Sequence, residues 1–88
     1  MKTKKTIWHI YILECADKTL YTGITNNLER RIKQHESGAG AKYMRGRAPF
    51  KLVYIKKFKT RSAASKREFE IKKMTRGKKL KLLKAYKA

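Results

Sequence analysis

The chain has 88 residues, of which 41% are hydrophobic, enough for one domain with a single modest core. Its 25 Lys and Arg against 6 Asp and Glu give a formal charge of +19, which opposes the compact state by self-repulsion. That balance points to a polyanionic partner, nucleic acid above all. Cys15 stands alone, which excludes an internal disulfide and a cysteine metal cluster. No apolar run approaches membrane-spanning length, so the cytosol is the expected compartment.

In chain order, residues 1–6 read as a basic tail, and a single domain is expected over 1–88 with its core at about 8–86. Trp8 to Glu14 is β-branched and aromatic and predicts a strand. Cys15 to Thr19 reads as a turn, and Leu20 to Ile24 as a second strand completing an antiparallel hairpin. Thr25, Asn26 and Asn27 supply capping groups for a helix over Leu28 to Glu36, with Leu28 and Ile32 at helical spacing. Ser37 to Pro49 is rich in glycine and cations and reads as an exposed basic loop. A third strand follows over Phe50 to Phe58, then a helix capped by Thr60 or Ser62 and running to about Met74. Thr75 and Gly77 are expected to break the chain before a last helix from Lys78 to Tyr86. The order ββαβαα predicts an α/β (α+β) fold, a three-stranded antiparallel sheet flanked by helices.

The hairpin sets up the candidate chemistry. With Cys15 to Thr19 as the loop, Tyr11 falls opposite Gly23 and Leu13 opposite Tyr21. Tyr11 and Tyr21 then project from one face as diagonal neighbours, beside the bare backbone of Gly23. A loop one residue longer or shorter would separate them. Arg31 and His35, four apart, follow Leu28 at i+3 and i+7 and so lie on or beside the buried stripe of their helix. After Glu36 the only carboxylates are Glu68 and Glu70. Glu68 aligns with Ala64 and Ile71 on the inward face, which suits either an ion pair, with Lys72 in easy reach, or a divalent metal ligand.

These residues carry a resemblance. HIYILECADKTLYTGITNNLERRIKQH, followed by REFEIKK, resembles the GIY-YIG nuclease superfamily, closest to its short single-domain bacterial members. The likeness runs from about Trp8 to the last helix. The first tripeptide stands as His9-Ile10-Tyr11, without its glycine, and the second as Tyr21-Thr22-Gly23. Arg31 falls ten residues after Tyr21, where the family has its arginine, with His35 four later. Glu68 is the counterpart of the family's metal-binding glutamate, and Glu70 is the alternative.

The resemblance implies a GIY-YIG domain that hydrolyses a phosphodiester with Mg²⁺ or Mn²⁺ held by Glu68. Tyr11 would take a proton from the attacking water, with Tyr21 assisting. Arg31 would stabilise the transition state, and His35 would support the phosphate or a proton transfer. A phenol titrates near pH ~10, so a tyrosine base needs depression by the charge of Arg31 and the metal. Asn27 and Arg30, with Lys42, Tyr43, Arg45 and Arg47 of the basic loop, are the expected nucleic-acid contacts. DNA is the expected partner, with structured RNA open; neither a membrane nor an obligate protein partner is expected. The alternative is a DNA- or RNA-binding module that keeps the fold without turnover. The missing glycine at His9, the lack of an asparagine beyond Asn27 and the lack of a targeting domain favour it.

Overall fold

The protein is described by a computed structural model covering residues 7–38, 46–47 and 49–87. Its elements are β1 (Trp8–Glu14), β2 (Leu20–Thr25), α1 (Leu28–Glu36), β3 (Lys51–Phe58), α2 (Arg61–Lys72) and α3 (Arg76–Lys87). The sheet order is β2-β1-β3, both pairs antiparallel, which bears out the ββαβαα expectation. β1 is the middle strand, so its Ile10-Tyr11-Ile12-Leu13 run is buried on both faces. β2 and β3 form the edges, and β3 carries the exposed Lys51, Lys56 and Lys57.

Alternation along β1 divides the core in two. Ile10 and Ile12 pack with Ala64 and Ile71 of α2, Leu83 of α3, and Val53 and Tyr54 of β3. Tyr11, Leu13 and Cys15 pack on the other side with Tyr21, Leu28 and Phe50. Helices α2 and α3 therefore cover one sheet face and α1 covers the other. The β1–β3 register shifts between Ile12 and Leu13, which pair with Tyr54 and Leu52 and leave Val53 as an extra buried residue.

Local chemistry sets the element ends. In the hairpin loop the Cys15 amide donates to the Thr19 carbonyl at 2.9 Å, and Asp17 Oδ1 accepts from the Thr19 amide at 3.2 Å and its hydroxyl at 2.6 Å. Asn27 caps α1, its Oδ1 accepting from the Arg30 amide at 3.1 Å, and Gly38 follows the helix at φ +84°. Thr60, not Ser62, caps α2, accepting from the Ala63 amide at 3.1 Å. α3 starts two residues before the expected Lys78, because the Thr75 hydroxyl accepts from the Lys78 amide at 3.3 Å. Gly77 is thus absorbed into a capped first turn. Strand β3 opens at Lys51, one residue after the expected Phe50, and β2 runs one residue further, to Thr25.

Candidate active site

The hairpin register is the one the loop length predicts: Tyr11 pairs with Gly23, Leu13 with Tyr21, Glu14 with Leu20. The two phenols share a face with their ring centroids 6.2 Å apart. Gly23 is required there, since a Cβ on it would lie 2.6 Å from the Tyr11 hydroxyl oxygen and 3.1 Å from the Tyr21 ring. Helix α1 lies over this face and lowers His35 into it. The imidazole sits edge-on to Tyr21 at 5.3 Å, 6.0 Å from the Tyr11 ring and 6.3 Å from Phe50.

Tyr11 is 1% exposed and His35 2%. The Tyr11 hydroxyl and His35 Nε2 share a hydrogen bond of 2.9 Å, while His35 Nδ1 is buried without a partner. Burial and, after it, the nearby Arg31 charge hold the His35 pKa below the ordinary histidine value, so the ring is neutral. Burial also pushes Tyr11 up to about 12, with hydrogen bonding to Arg31 pulling against it and the charges of Tyr21 and Glu68 adding to the rise. Arg31 by itself therefore does not depress the phenol, because excluding water from the ring outweighs the guanidinium beside it.

Arg31 is half-buried and faces both phenols. Burial works against its charge, but the hydrogen bond and charge of Tyr11 and the influence of Tyr21 outweigh it, so its pKa lies above the ordinary arginine value. Its Nη1 donates to Gln34 Oε1 at 3.0 Å, a positioning contact that the i+3 spacing would have disclosed. Around it opens a cavity of ≈ 160 Å³ lined by Thr25, Asn26, Asn27, Arg30, Arg31 and Gln34. A larger one of ≈ 480 Å³ shares Asn27, Arg30 and Gln34 and continues to Glu29, Lys33 and Ser37 along α1, so one carboxylate stands among its cations. Asn27 and Arg30 are thus brought beside Arg31, on one polar groove.

Glu68 is part-buried on α2, and its charge reaches Tyr11. Its Oε2 pairs with Lys72 Nζ at 3.1 Å. Glu70 is more exposed and pairs with Arg67 at 3.0 Å, turned away from the phenols as its spacing implied. Among the described residues no group of three or more His, Cys, Asp and Glu could hold a metal ion. Arg47 is not gathered into the groove: its guanidinium pairs with Asp17 and its carbonyl accepts from the Ala16 amide at 2.9 Å, fixing it to the hairpin loop. Lys42, Tyr43 and Arg45 lie outside the described residues, as does the basic tail. No described helix is long and apolar enough to cross a membrane.

Comparison with known proteins agrees with this geometry. The profile of the GIY-YIG catalytic domain matches residues 7–81. A UPF0213 protein of Clostridium perfringens is 57% identical over 75 residues, covering 85% of this chain and 81% of that protein. One from Oceanobacillus iheyensis is 55% identical over 75 residues, covering 85% and 87%. The solution NMR structure of a UPF0213 protein from Bacillus halodurans superposes with a TM-score of 0.62 at 47% identity, covering 90% of this chain and 84% of that one. A solution NMR structure of an E. faecalis protein gives a TM-score of 0.67 at 43% identity, covering 98% and 91%. With the profile spanning the sheet, the phenols, the arginine helix and the glutamate helix alike, this chain belongs to the GIY-YIG family, among its UPF0213 members.

Proposed function

We propose that this domain binds nucleic acid by its phosphate backbone in the groove along α1, with Arg31 as the anchoring cation. The observation that carries this reading is the placement of Arg31. A guanidinium held by Gln34 at 3.0 Å and interacting with two phenols lines a cavity whose other lining side chains are polar. Such a preorganised fork suits a phosphodiester oxygen pair. Asn27, Arg30 and Lys33 along the groove would meet neighbouring phosphates. Binding to a labelled duplex should weaken steeply with salt, and Arg31→Ala should reduce both the affinity and the salt slope. A flat salt response would remove the phosphate argument. DNA is the leading partner, and matched DNA and RNA duplexes in the same titration decide between them.

A second reading, metal-assisted hydrolysis beside Tyr11, is favoured by the charges of both Arg31 and Glu68 reaching that phenol. A single carboxylate fits Mg²⁺ or Mn²⁺, since such ions keep several waters and share the remaining positions with substrate phosphates. Glu68 would hold the ion once Lys72, an exposed lysine, swings aside. The bound ion supplies neutralisation of the phosphate charge. Arg31 then holds a phosphate oxygen, Tyr21 orients the water, and His35 Nε2 is the acceptor within reach of the phenol proton. The state of Tyr11 argues for binding first: at about 12, roughly one molecule in 10⁵ is ionised at pH 7, against roughly one in 10³ for a free phenol. Supercoiled plasmid and branched DNA, incubated with and without Mg²⁺ or Mn²⁺, separate the two readings. Cleavage lost in Glu68→Ala while duplex binding survives supports the enzyme; equal inertness of all variants that still bind leaves the binding module.

A further inference from the structure

Helix α3 carries six cations and no acid in the sequence RGKKLKLLKAYK. Lys78, Lys81 and Lys84 recur every three residues, so each is turned about 60° back from the last and the three form one row about 9 Å long. All three are exposed, while Leu82 and Leu83 turn to the sheet. The ion pairs among the described residues use Arg47, Arg67 and Lys72, and no carboxylate is paired to the row. Like charges three apart destabilise a helix, and cations in a first turn without an acid oppose the helix dipole. Besides its Thr75 cap, the start of α3 is held by Arg76, whose Nη2 donates to the Lys18 carbonyl at 3.1 Å. Glu14 shares a cavity with Lys84 without forming an ion pair to it, so the helix holds a concentrated positive charge that no ion pair among the described residues neutralises.

The row also faces away from the proposed groove. α1 lies on the Tyr11 face of the sheet, and α3 packs by Leu83 against the Ile10 and Ile12 face. A strand lying along α1 cannot reach Lys78, Lys81 and Lys84, because the sheet stands between. We infer that the Lys78-Lys81-Lys84 row is a second phosphate-backbone surface, through which one molecule holds a second nucleic-acid segment and bridges it to the first. This rests on the proposed reading of the α1 groove. A membrane surface is disfavoured because Leu82 and Leu83 are docked on the domain, leaving Leu80 and Tyr86 as the large apolar side chains of α3 still exposed, too few for a broad apolar face.

The test is a bridging assay in which a bead-bound 20-base-pair duplex captures a labelled second duplex through the full-length protein. Wild type should capture it. A variant with Lys78→Gln, Lys81→Gln and Lys84→Gln, checked by circular dichroism, should still bind one duplex through α1 but fail to capture the second. The loss corresponds to about 2.7 in salt slope for three phosphate contacts, so capture by wild type should fall about 40-fold between 50 and 200 mM salt. Arg30→Gln with Arg31→Gln should keep single-duplex binding through the row and lose capture. The charge-reversing Lys81→Glu alone, less demanding of the fold, should weaken capture in the same direction. Capture that persists in the triple variant marks self-association and overturns the inference, as does preferential binding of the row to anionic vesicles. If wild type binds one duplex yet never captures a second, the inference fails while the α1 reading stands. If it binds no duplex, both fall.

Discussion

Replacing Gly23 by alanine tests the tyrosine face through stability alone. The new Cβ would lie 2.6 Å from the Tyr11 hydroxyl oxygen and 2.8 Å from its Cζ, distances that no relaxed structure holds. Tyr11 has nowhere to go: it is 1% exposed, in the middle strand, with its hydroxyl bonded to His35 at 2.9 Å. Overpacking at such a site costs about 1–3 kcal/mol. Displacing the ring also weakens the His35 hydrogen bond, worth about 1 kcal/mol. Alanine returns about 0.4–1 kcal/mol by stiffening the unfolded chain. The net loss is about 2 kcal/mol, or roughly 10 °C in Tm for a domain of this size. Urea unfolding followed by tryptophan fluorescence should show a lower midpoint at an unchanged slope. Against a Tyr11→Ala background the same substitution should cost little. A Gly23→Ala protein within 0.5 kcal/mol (roughly, the limit of neutral surface changes) of wild type would refute the close packing of the phenols.

The remaining predictions concern titration and the hairpin loop. Tyr11 is raised from 10.0 to about 12, so the unfolded chain ionises first; its stabilisation is complete below pH 10 and lost between 10 and 12, on the order of 3 kcal/mol in all. Tyr11→Phe should flatten that alkaline limb, and an unchanged limb would contradict the burial argument. His35 is lowered, so its contribution is complete above the unfolded value near pH ~6.5 and is lost as pH falls through the folded value. Unfolding midpoints taken from pH 8 to 5 should decline in wild type and less in His35→Gln. Asp17 is lowered by its Thr19 hydrogen bonds and then by Arg47, so the loop weakens as pH falls below ~4. Asp17→Asn should release the Arg47 side chain and raise amide exchange in the hairpin loop, with little change in global stability.

Much of this arrangement could be read from the chain because it is local. The five-residue turn fixed the pairing of Tyr11 with Gly23, and one residue of slip would have parted the phenols. Asn27 and Thr60 announced their helices by side-chain chemistry confined to a few residues. The expectations that changed depend on distant partners. His35 meets Tyr11 across 24 residues, and the high Tyr11 pKa follows from α1 and Phe50 closing over the ring. Arg47, an expected phosphate contact of the basic loop, pairs with Asp17, which stands 30 residues away. At the start of α3, a capping threonine outweighed a glycine that looked like a break.

The edge position of β3 has a consequence for colloidal behaviour. An open strand edge is a template for another strand, and a second copy of this chain would have to bring its own Lys51, Lys56 and Lys57 alongside these. Mutual repulsion along that edge makes sheet extension unfavourable. The lysines of β3 thus act as gatekeepers against aggregation while contributing to the same positive field that attracts a polyanion. Replacing them with neutral β-branched residues would favour the strand conformation and, in the same step, open the edge to copies of itself.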